Sequence, residues 1–396
     1  MLLISNPVCG DKSGPQFLVE QVLPLISSYR KSVKVIETTH TGHAGVIAQE
    51  YLATLEPESS ATIIVSGGDG TLHEIVNALC LPYIDKNGVV APIPAVSFAL
   101  IPSGTANALY STLFPPSSHA TDNPDYKLKS IRSLMDSSSS VPLSLQHTVI
   151  LDGGGVMTSQ IISAVVTSTS LHAAILHTAE ELRGREDLPG LMRFKAAAQQ
   201  NILNWYKSQI MLIDPVGGKV AQYNPNTHSF QSPAQPTSSL PGPFEYFLST
   251  INVDRLEPHF QITPLFSKLP PTEASMDLVV VRPNRNPRVL SDTLDDRTRF
   301  VETATTVLQS AYKEGKHVEF RYQSDGSCSE EGSGEPVVEY FRCGGWEWTP
   351  EPTDELAQLL CADGAILKIG DGGKASCRLV TFTNPDIQFR VFSRRE

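Results

Sequence analysis

The segment Ser66-Gly67-Gly68-Asp69-Gly70-Thr71-Leu72-His73-Glu74-Ile75-Val76-Asn77 joins an apolar run to an amphipathic one. Three glycines in four positions remove Cβ atoms where a backbone must approach a ligand closely. Free N–H groups at the start of the following helix then hold phosphate oxygens, aided by the helix dipole. A lone carboxylate would repel phosphate, so Asp69 reads instead as a magnesium ligand or as a base for an attacking hydroxyl. The plainer alternative is a tight turn with Asp69 as its N-cap. A second element of this kind is Pro102-Ser103-Gly104-Thr105-Ala106-Asn107, where Ser103 and Thr105 add hydroxyl donors. A third polar turn runs from Asn6 through Gly10 to Gly14. Each alone is a common cap; three at the same end of one sheet are a stronger signal for a phosphate site.

Short Val-, Ile- and Leu-rich runs at 2–5, 33–37, 62–66 and 96–101 alternate with helical spacing at 16–29, 43–55 and 72–79. That alternation implies βαβ units around a parallel sheet, whose ligands bind outside the carboxyl ends of the strands. The serine tract 137–140 with Pro142 reads as a linker, giving a nucleotide-binding domain over 1–140 and a β-rich domain over 141–396. In the second domain, 143–150 and 156–166 flank the turn Asp152-Gly153-Gly154-Gly155 as a hairpin. A helical stretch over 171–207, broken near Leu188-Pro189-Gly190, follows it. Five prolines, Pro225, Pro233, Pro236, Pro241 and Pro243, mark a loop. Strands are predicted at 276–281, 317–322, 337–341, 365–369 and 387–392, with a helix at 303–313. The fold class is therefore an α/β N-terminal domain followed by a mostly β domain with inserted helices.

The chain has 396 residues, 31 Lys plus Arg against 42 Asp plus Glu, and a formal charge of −11. No basic block stands out, which argues against nucleic acid and against a polybasic membrane anchor. Six cysteines without a C-x-x-C pair read as reduced thiols in an intracellular, soluble protein. No apolar run is long enough to cross a bilayer, so membrane contact would be peripheral and largely apolar. Because the first strand starts at the initiator Met, an upstream segment is left open. Walker-type, dinucleotide-binding and protein-kinase signatures are absent.

Asn6-Pro7-x-x-Gly10, the Gly-Gly-Asp-Gly-Thr run with Glu74 and Asn77 downstream, and Pro102-Ser103-Gly104-Thr105-x-Asn107 together resemble the diacylglycerol kinase catalytic domain superfamily. His43-Ala44, Leu191-Met192-Arg193-Phe194, Gly315-Lys316-His317 and Tyr340-Phe341-Arg342 are similar to the sphingoid long-chain base kinase (sphingosine kinase) branch. The resemblance implies an α/β domain of phosphofructokinase and NAD kinase type, a C-terminal β-sandwich that houses lipid, and ATP with Mg²⁺ between them. It implies that Asp69 activates the lipid hydroxyl and meets the metal. Asn6, Gly67, Gly68, Gly70, Thr71, Glu74, Ser103 and Gly104 would hold nucleotide, with Thr39 or Thr41 facing the triphosphate. Arg193 would reach the phosphates from the second domain; its plainer alternative is a solvated helix residue.

For the lipid amine the family uses an Asp after the hairpin; here Glu180 or Glu181 occupies that region, and a solvated helix face explains the same pair. The family's Asp-Gly-Glu near the nucleotide is matched to Asp371-Gly372-Gly373, with Asp363-Gly364 as the alternative register. The expected activity is ATP-dependent phosphorylation of a sphingoid base at its primary hydroxyl, by a cytoplasmic protein in peripheral contact with membranes. Diacylglycerol or ceramide as acceptor, a soluble NAD kinase-like substrate, and a non-catalytic relative are the alternatives.

Overall fold

The computed structural model describes all residues except 57–58, 86–87, 92, 118–120, 137–138, 189, 191, 234–238, 384–388 and 394–396. Pro92, the first half of the serine tract, Pro189, Leu191, Pro236 and Ile387 lie outside the described residues.

The first body is a six-stranded sheet. β1 (Leu2–Ser5) lies between β2 (Lys34–Glu37) and β3 (Ala61–Gly67), and β3 pairs with β4 (Val96–Pro102), all in parallel. β1, β3 and β4 are apolar almost throughout because helices cover both faces. On one face, α2 (His43–Ala53) and α3 (Asp69–Cys80) bury Ile47, Leu72, Ile75 and Val76 against Ile63, Val65 and Phe98. On the other, the continuous helical stretch α1, residues 14–28 with a π-helical turn over Leu18–Val22, packs Leu18, Val22 and Ile26 on Leu3, Ile64 and Ile101. The helix Lys129–Met135 completes that layer through Ile131 and Met135.

The sheet order reverses around β1: β2 follows on one side and β3 on the other. This reversal opens a crevice at the carboxyl ends of β1 and β3. The chain also ends in this sheet. Residues Arg390–Phe392 pair in parallel with β4 and antiparallel with Ser140–Pro142, and buried Phe389 meets Phe98 edge to face at 5.7 Å.

The second body is a sandwich of antiparallel sheets with six and eight strands. Trp346 and Trp348 on the strand Gly345–Pro350 pack on Phe247 of the strand Tyr246–Thr250 at 5.0 and 5.4 Å. The Trp346 indole N–H donates to Ser249 Oγ at 3.0 Å across the two layers. The expected fold class, a parallel α/β sheet followed by a mostly β body with inserted helices, is the observed one.

Several local expectations change. The stretch at 156–166 is two strands: Met157–Ser163 completes the hairpin with Gln146–Leu151, while Val166–Thr169 joins the other sheet. The helical stretch at 171–207 is α5 (Ser170–Glu181) and α6 (Met192–Asn201), with the strand Ser208–Ile213 beyond. The helix expected at 303–313 is longer, Leu294–Ala311, started by Thr293, whose Oγ1 accepts the Asp296 N–H at 3.2 Å. The strand expected at 317–322 is mostly a 3-10 turn, Lys316–Glu319, entered through Gly315 at φ 70°. His317 in this turn is fully buried, and its Nε2 lies 3.0 Å from the Ile262 carbonyl oxygen.

Burial depresses the His317 pKa from 6.5 to about 4. The unfolded chain therefore takes up this proton first, and stability present above pH 6.5 is lost as pH falls toward 4. The shift is equivalent to about 3 kcal/mol. A His317→Gln variant is expected to lose that part of the acid sensitivity in urea midpoints compared at pH 7 and pH 4.5. An unchanged slope would contradict it.

Candidate active site

The crevice is built by the loops that leave β1, β3 and β4. The Asn6 N–H donates to the Ser66 carbonyl at 2.9 Å, and the Ser103 N–H to the Gly67 carbonyl at 3.2 Å, so the three loops are stitched edge to edge. The Asn6 amide donates to Thr71 Oγ1 at 3.2 Å, and Ser66 and Ser103 hydroxyls meet at 3.3 Å. A Cβ on Gly104 would sit 2.4 Å from the Gly68 Cα, so these two glycines let the loops touch. Asn107, held at φ 53°, braces its own loop: its Oδ1 accepts from Gly104 N at 2.9 Å and its Nδ2 donates to Gly104 O at 2.7 Å.

Asp69 stands at the centre. It is the first residue of α3, whose N-cap is Gly68, yet its carboxylate caps a different helix. Oδ2 accepts the Ala108 N–H at 2.8 Å and Oδ1 the Leu109 N–H at 3.2 Å, the first two amides of α4 (Ala108–Leu113). The simple N-cap alternative thus has the right chemistry and the wrong helix. Desolvation pushes the Asp69 pKa up to about 6; the two amides oppose the rise and the Asp363 charge adds to it. At pH 7 the group is mostly ionised yet more basic than an ordinary aspartate. A narrow crevice lined by Gly67, Gly68, Asp69, Leu72, Asn107 and Tyr110 opens beside it.

The sandwich meets this site through α3. The Asn77 side chain pairs with the backbone of Ile162, donating to its carbonyl and accepting from its N–H, both at 2.8 Å. His73, one turn after Asp69, places Nδ1 3.3 Å from Asp363 Oδ2. Asp363 also accepts the backbone N–H groups of Ala164, Val165 and Val166 at 2.7–3.0 Å. Asp363-Gly364 is the two-residue turn between Leu359–Ala362 and Ala365–Lys368, with φ 47° and 94°. Those values suit a hairpin turn of the Asp-Gly type. The sequence offers Asp363-Gly364 only as the alternative register to Asp371-Gly372, although an Asp-Gly between two apolar runs is a recognisable hairpin signal.

Asp371 stands elsewhere. It is exposed, accepts from Gln358 Nε2 at 3.0 Å, and lies on the turn that abuts Gly153 at the far end of the hairpin from Asn77. Roughly 17 Å of strand separates the two ends of that hairpin.

The remaining candidates fall into two groups. At the sheet edge, Thr39 Oγ1 lies 2.9 Å from His40 Nδ1 and 3.0 Å from His43 Nδ1, and Thr41 is exposed in the same loop. Glu74 Oε2 accepts the Ala44 N–H at 3.3 Å, tying the start of α2 to α3. Glu180 is ion-paired with Arg183 at 2.7 Å and Glu181 Oε1 lies 3.5 Å from His177 Nε2, both glutamates exposed at the end of α5. The Arg193 guanidinium lies over Phe194 at 4.8 Å, with its Nε buried and unpartnered. Burial and then the Arg183 charge lower its pKa, while Glu180 raises it. Arg193 therefore shares its electrostatic surroundings with Arg183 and Glu180.

No cluster of three or more His, Cys, Asp or Glu suited to a metal occurs among the described residues. Asp69 offers one carboxylate. Magnesium is commonly held by one or two carboxylates together with phosphates and water, so the residues fit an ion brought in with a nucleotide rather than one caged by the protein.

Residues 1–139 match the model of the diacylglycerol kinase catalytic domain. Sphingoid long chain base kinase 5 of Saccharomyces cerevisiae is 29% identical over 140 residues, 34% of this chain and 18% of that protein. Sphingoid long-chain bases kinase 1 of Arabidopsis thaliana is 32% identical over 113 residues, 28% of this chain and 14% of that protein. Sphingosine kinase 2 of Homo sapiens is 31% identical over 109 residues, 28% and 15% of the two chains. The matched segments thus span less than a fifth of each of these three relatives. The fold as a whole is similar to the crystal structure of a putative diacylglycerol kinase from Bacillus anthracis. That structure has a TM-score of 0.52 and 16% identity, over 98% of this chain and 95% of the other.

A Gly104→Ala substitution is expected to force the two glycine loops apart at an overpacking cost of about 1–3 kcal/mol. Urea unfolding measures it, and wild-type stability would show that the close approach is not required.

Proposed function

Because residues 1–139 match the model of the diacylglycerol kinase catalytic domain, we propose that the protein transfers the γ-phosphoryl group of ATP to the primary hydroxyl of a lipid, a sphingoid base in the first instance. The observation that carries the reading is Asp69: an enclosed carboxylate with a pKa near 6, set among anion-binding loops at the edge of a parallel sheet. In the proposed reaction Asp69 takes the proton of the lipid hydroxyl. The hydroxyl oxygen forms the new bond to phosphorus, and the bond to the β–γ bridging oxygen breaks to release ADP. Phosphoryl transfer needs little else from a protein than alignment and charge neutralisation.

The backbone of Gly67, Gly68, Gly70 and Thr71, with Asn6, Ser103 and Gly104, is assigned to the nucleotide. Thr39 or Thr41 is assigned to its triphosphate. Glu74 supports this assembly by fixing the start of α2. Asp69 would help hold an Mg²⁺ brought in with the nucleotide, and the ion would supply charge neutralisation on the transferring group. Arg193 is assigned to the phosphates once the two bodies close. Asp371, on its distant exposed turn, has weaker support as a nucleotide contact than Asp363, which lies close enough to Asp69 to raise its pKa. Residues 1–140 would then handle nucleotide and 141–396 the lipid. No helix among the described residues is long and apolar enough to cross a membrane; a cytoplasmic enzyme meeting its lipid by peripheral contact is the arrangement we favour.

Glu180 and Glu181, already engaged with Arg183 and His177 on an exposed helix end, favour a second reading in which the acceptor is an uncharged lipid such as diacylglycerol or ceramide. A panel of sphingosine, dihydrosphingosine, ceramide and diacylglycerol with labelled ATP separates the two. Preference for a sphingoid base, reduced at least tenfold by Glu180→Gln or Glu181→Gln, supports the ammonium-binding assignment; preference for diacylglycerol overturns it.

Two substitutions test the nucleotide site. Asp69→Asn is expected to lower transfer to every lipid about a thousandfold or more while the protein stays folded, the upper range for loss of a general base being about 10⁴. A Cβ on Gly70 would meet no protein atom within 4 Å, so Gly70→Ala is expected to leave the melting temperature intact. It should weaken ATP binding by calorimetry, because the open space is where the phosphates would lie. Unchanged affinity would place the nucleotide elsewhere.

A further inference from the structure

We propose that Thr112 is a positioning residue for phosphoryl transfer, through which Asp254 of the β-sandwich holds α4 and thereby sets the placement of the Asp69 carboxylate. The inference rests on the assignment of Asp69 as the base.

α4 has six residues, too few to hold its own position in water. What holds its ends therefore decides where it lies. At its start, the Ala108 and Leu109 amides reach the two oxygens of Asp69 at 2.8 and 3.2 Å. One turn on, Thr112 Oγ1 donates to Asp254 Oδ1 at 3.0 Å and accepts the Asp254 N–H at 3.3 Å. The first contact faces the glycine loop of the α/β body, and the second belongs to the sandwich. A six-residue rod thus joins the candidate base to the other half of the molecule.

The far end is well anchored. Asp254 is 1% exposed and four residues beyond the strand Tyr246–Thr250. Arg255 binds it through Nε at 2.7 Å and Nη2 at 3.1 Å, and Gln261 Nε2 adds a bond at 3.0 Å. Arg255 is itself held by the Pro258 carbonyl at 2.9 Å, and the Thr263 N–H donates to the Asp254 carbonyl at 3.0 Å. Along the rod, buried Leu109 and Tyr110 resist sideways motion, and the Tyr110 hydroxyl donates to the Tyr126 carbonyl. The Thr112–Asp254 pair holds the far end of α4 against translation along its axis. Such a shift moves the Ala108 and Leu109 amides relative to Asp69, and misplacement of a reacting group by about 1 Å costs on the order of a hundredfold in rate.

Thr112→Val keeps the shape and removes the hydroxyl. Three measurements follow: steady-state kinetics with ATP and the preferred lipid, hydrogen exchange of the Ala108 and Leu109 amides, and the melting temperature. The expected result is a fall of about tenfold in kcat, with KM for both substrates within twofold, faster exchange of both amides, and recovery of wild-type values in Thr112→Ser. A fall in kcat at unchanged KM marks lost transition-state stabilisation rather than lost substrate binding, as a misplaced Asp69 would give. Unchanged kcat and exchange, with or without a lower melting temperature, would overturn the proposal, and so would equal losses in Thr112→Val and Thr112→Ser. If the Val variant does not fold, Thr112→Ala carries the same readouts. Activity retained in Asp69→Asn would refute the assignment of the base, and the exchange measurement would still decide whether Thr112 governs the α4 amides.

Discussion

The Asp69 carboxylate does two things at once. It belongs to the first turn of α3, and it closes the first two amides of α4, so that one partly buried carboxylate joins the loops following β3 and β4. Two backbone donors oppose the desolvation of the carboxylate without cancelling it, and the net result is an acid held near pH 6. The close approach of Gly68 and Gly104 and the brace supplied by Asn107 accompany this junction, and the Asn6–Ser66 and Ser103–Gly67 backbone bonds stitch the same loops together.

Around that junction the two bodies are tied by polar contacts from short elements. Asn77 behaves toward Ile162 as another strand would, and His73 reaches Asp363 in a turn 290 residues away in sequence. Thr112 makes a third tie through Asp254. All three originate on α3 or α4, the two helices whose starts Asp69 holds together. These three contacts, among those that seat the sandwich on the α/β body, are placed to orient the carboxylate.

The glycine loops were legible because their signal is local: a buried strand, glycines without Cβ, and a helix start within a dozen residues. Apolar runs and helical spacing marked β1 to β4 and the helices between them for the same reason. The role of Asp363 was not legible as more than an alternative, since its meaning comes from three backbone amides and a histidine that only tertiary folding assembles. Asp69 as the cap of α4 was hidden because sequence spacing assigns a cap to its own helix. The strand Tyr246–Thr250 escaped notice as well: it is buried on both faces and ends in Ser-Thr, so it shows no alternation. The run at 317–322 looked like a strand by composition, but a left-handed glycine and a buried imidazole turn it into a 3-10 helix.

Where Asp69 stands when both substrates are bound decides whether it acts as the base. A crystal structure with a non-hydrolysable ATP analogue, Mg²⁺ and a sphingoid base measures this directly. The expected result is a carboxylate oxygen about 3 Å from the lipid hydroxyl, with that hydroxyl in line with the γ-phosphorus. A nucleotide bound away from the Gly67–Thr71 loop, or a lipid hydroxyl far from Asp69 in the closed complex, would contradict it.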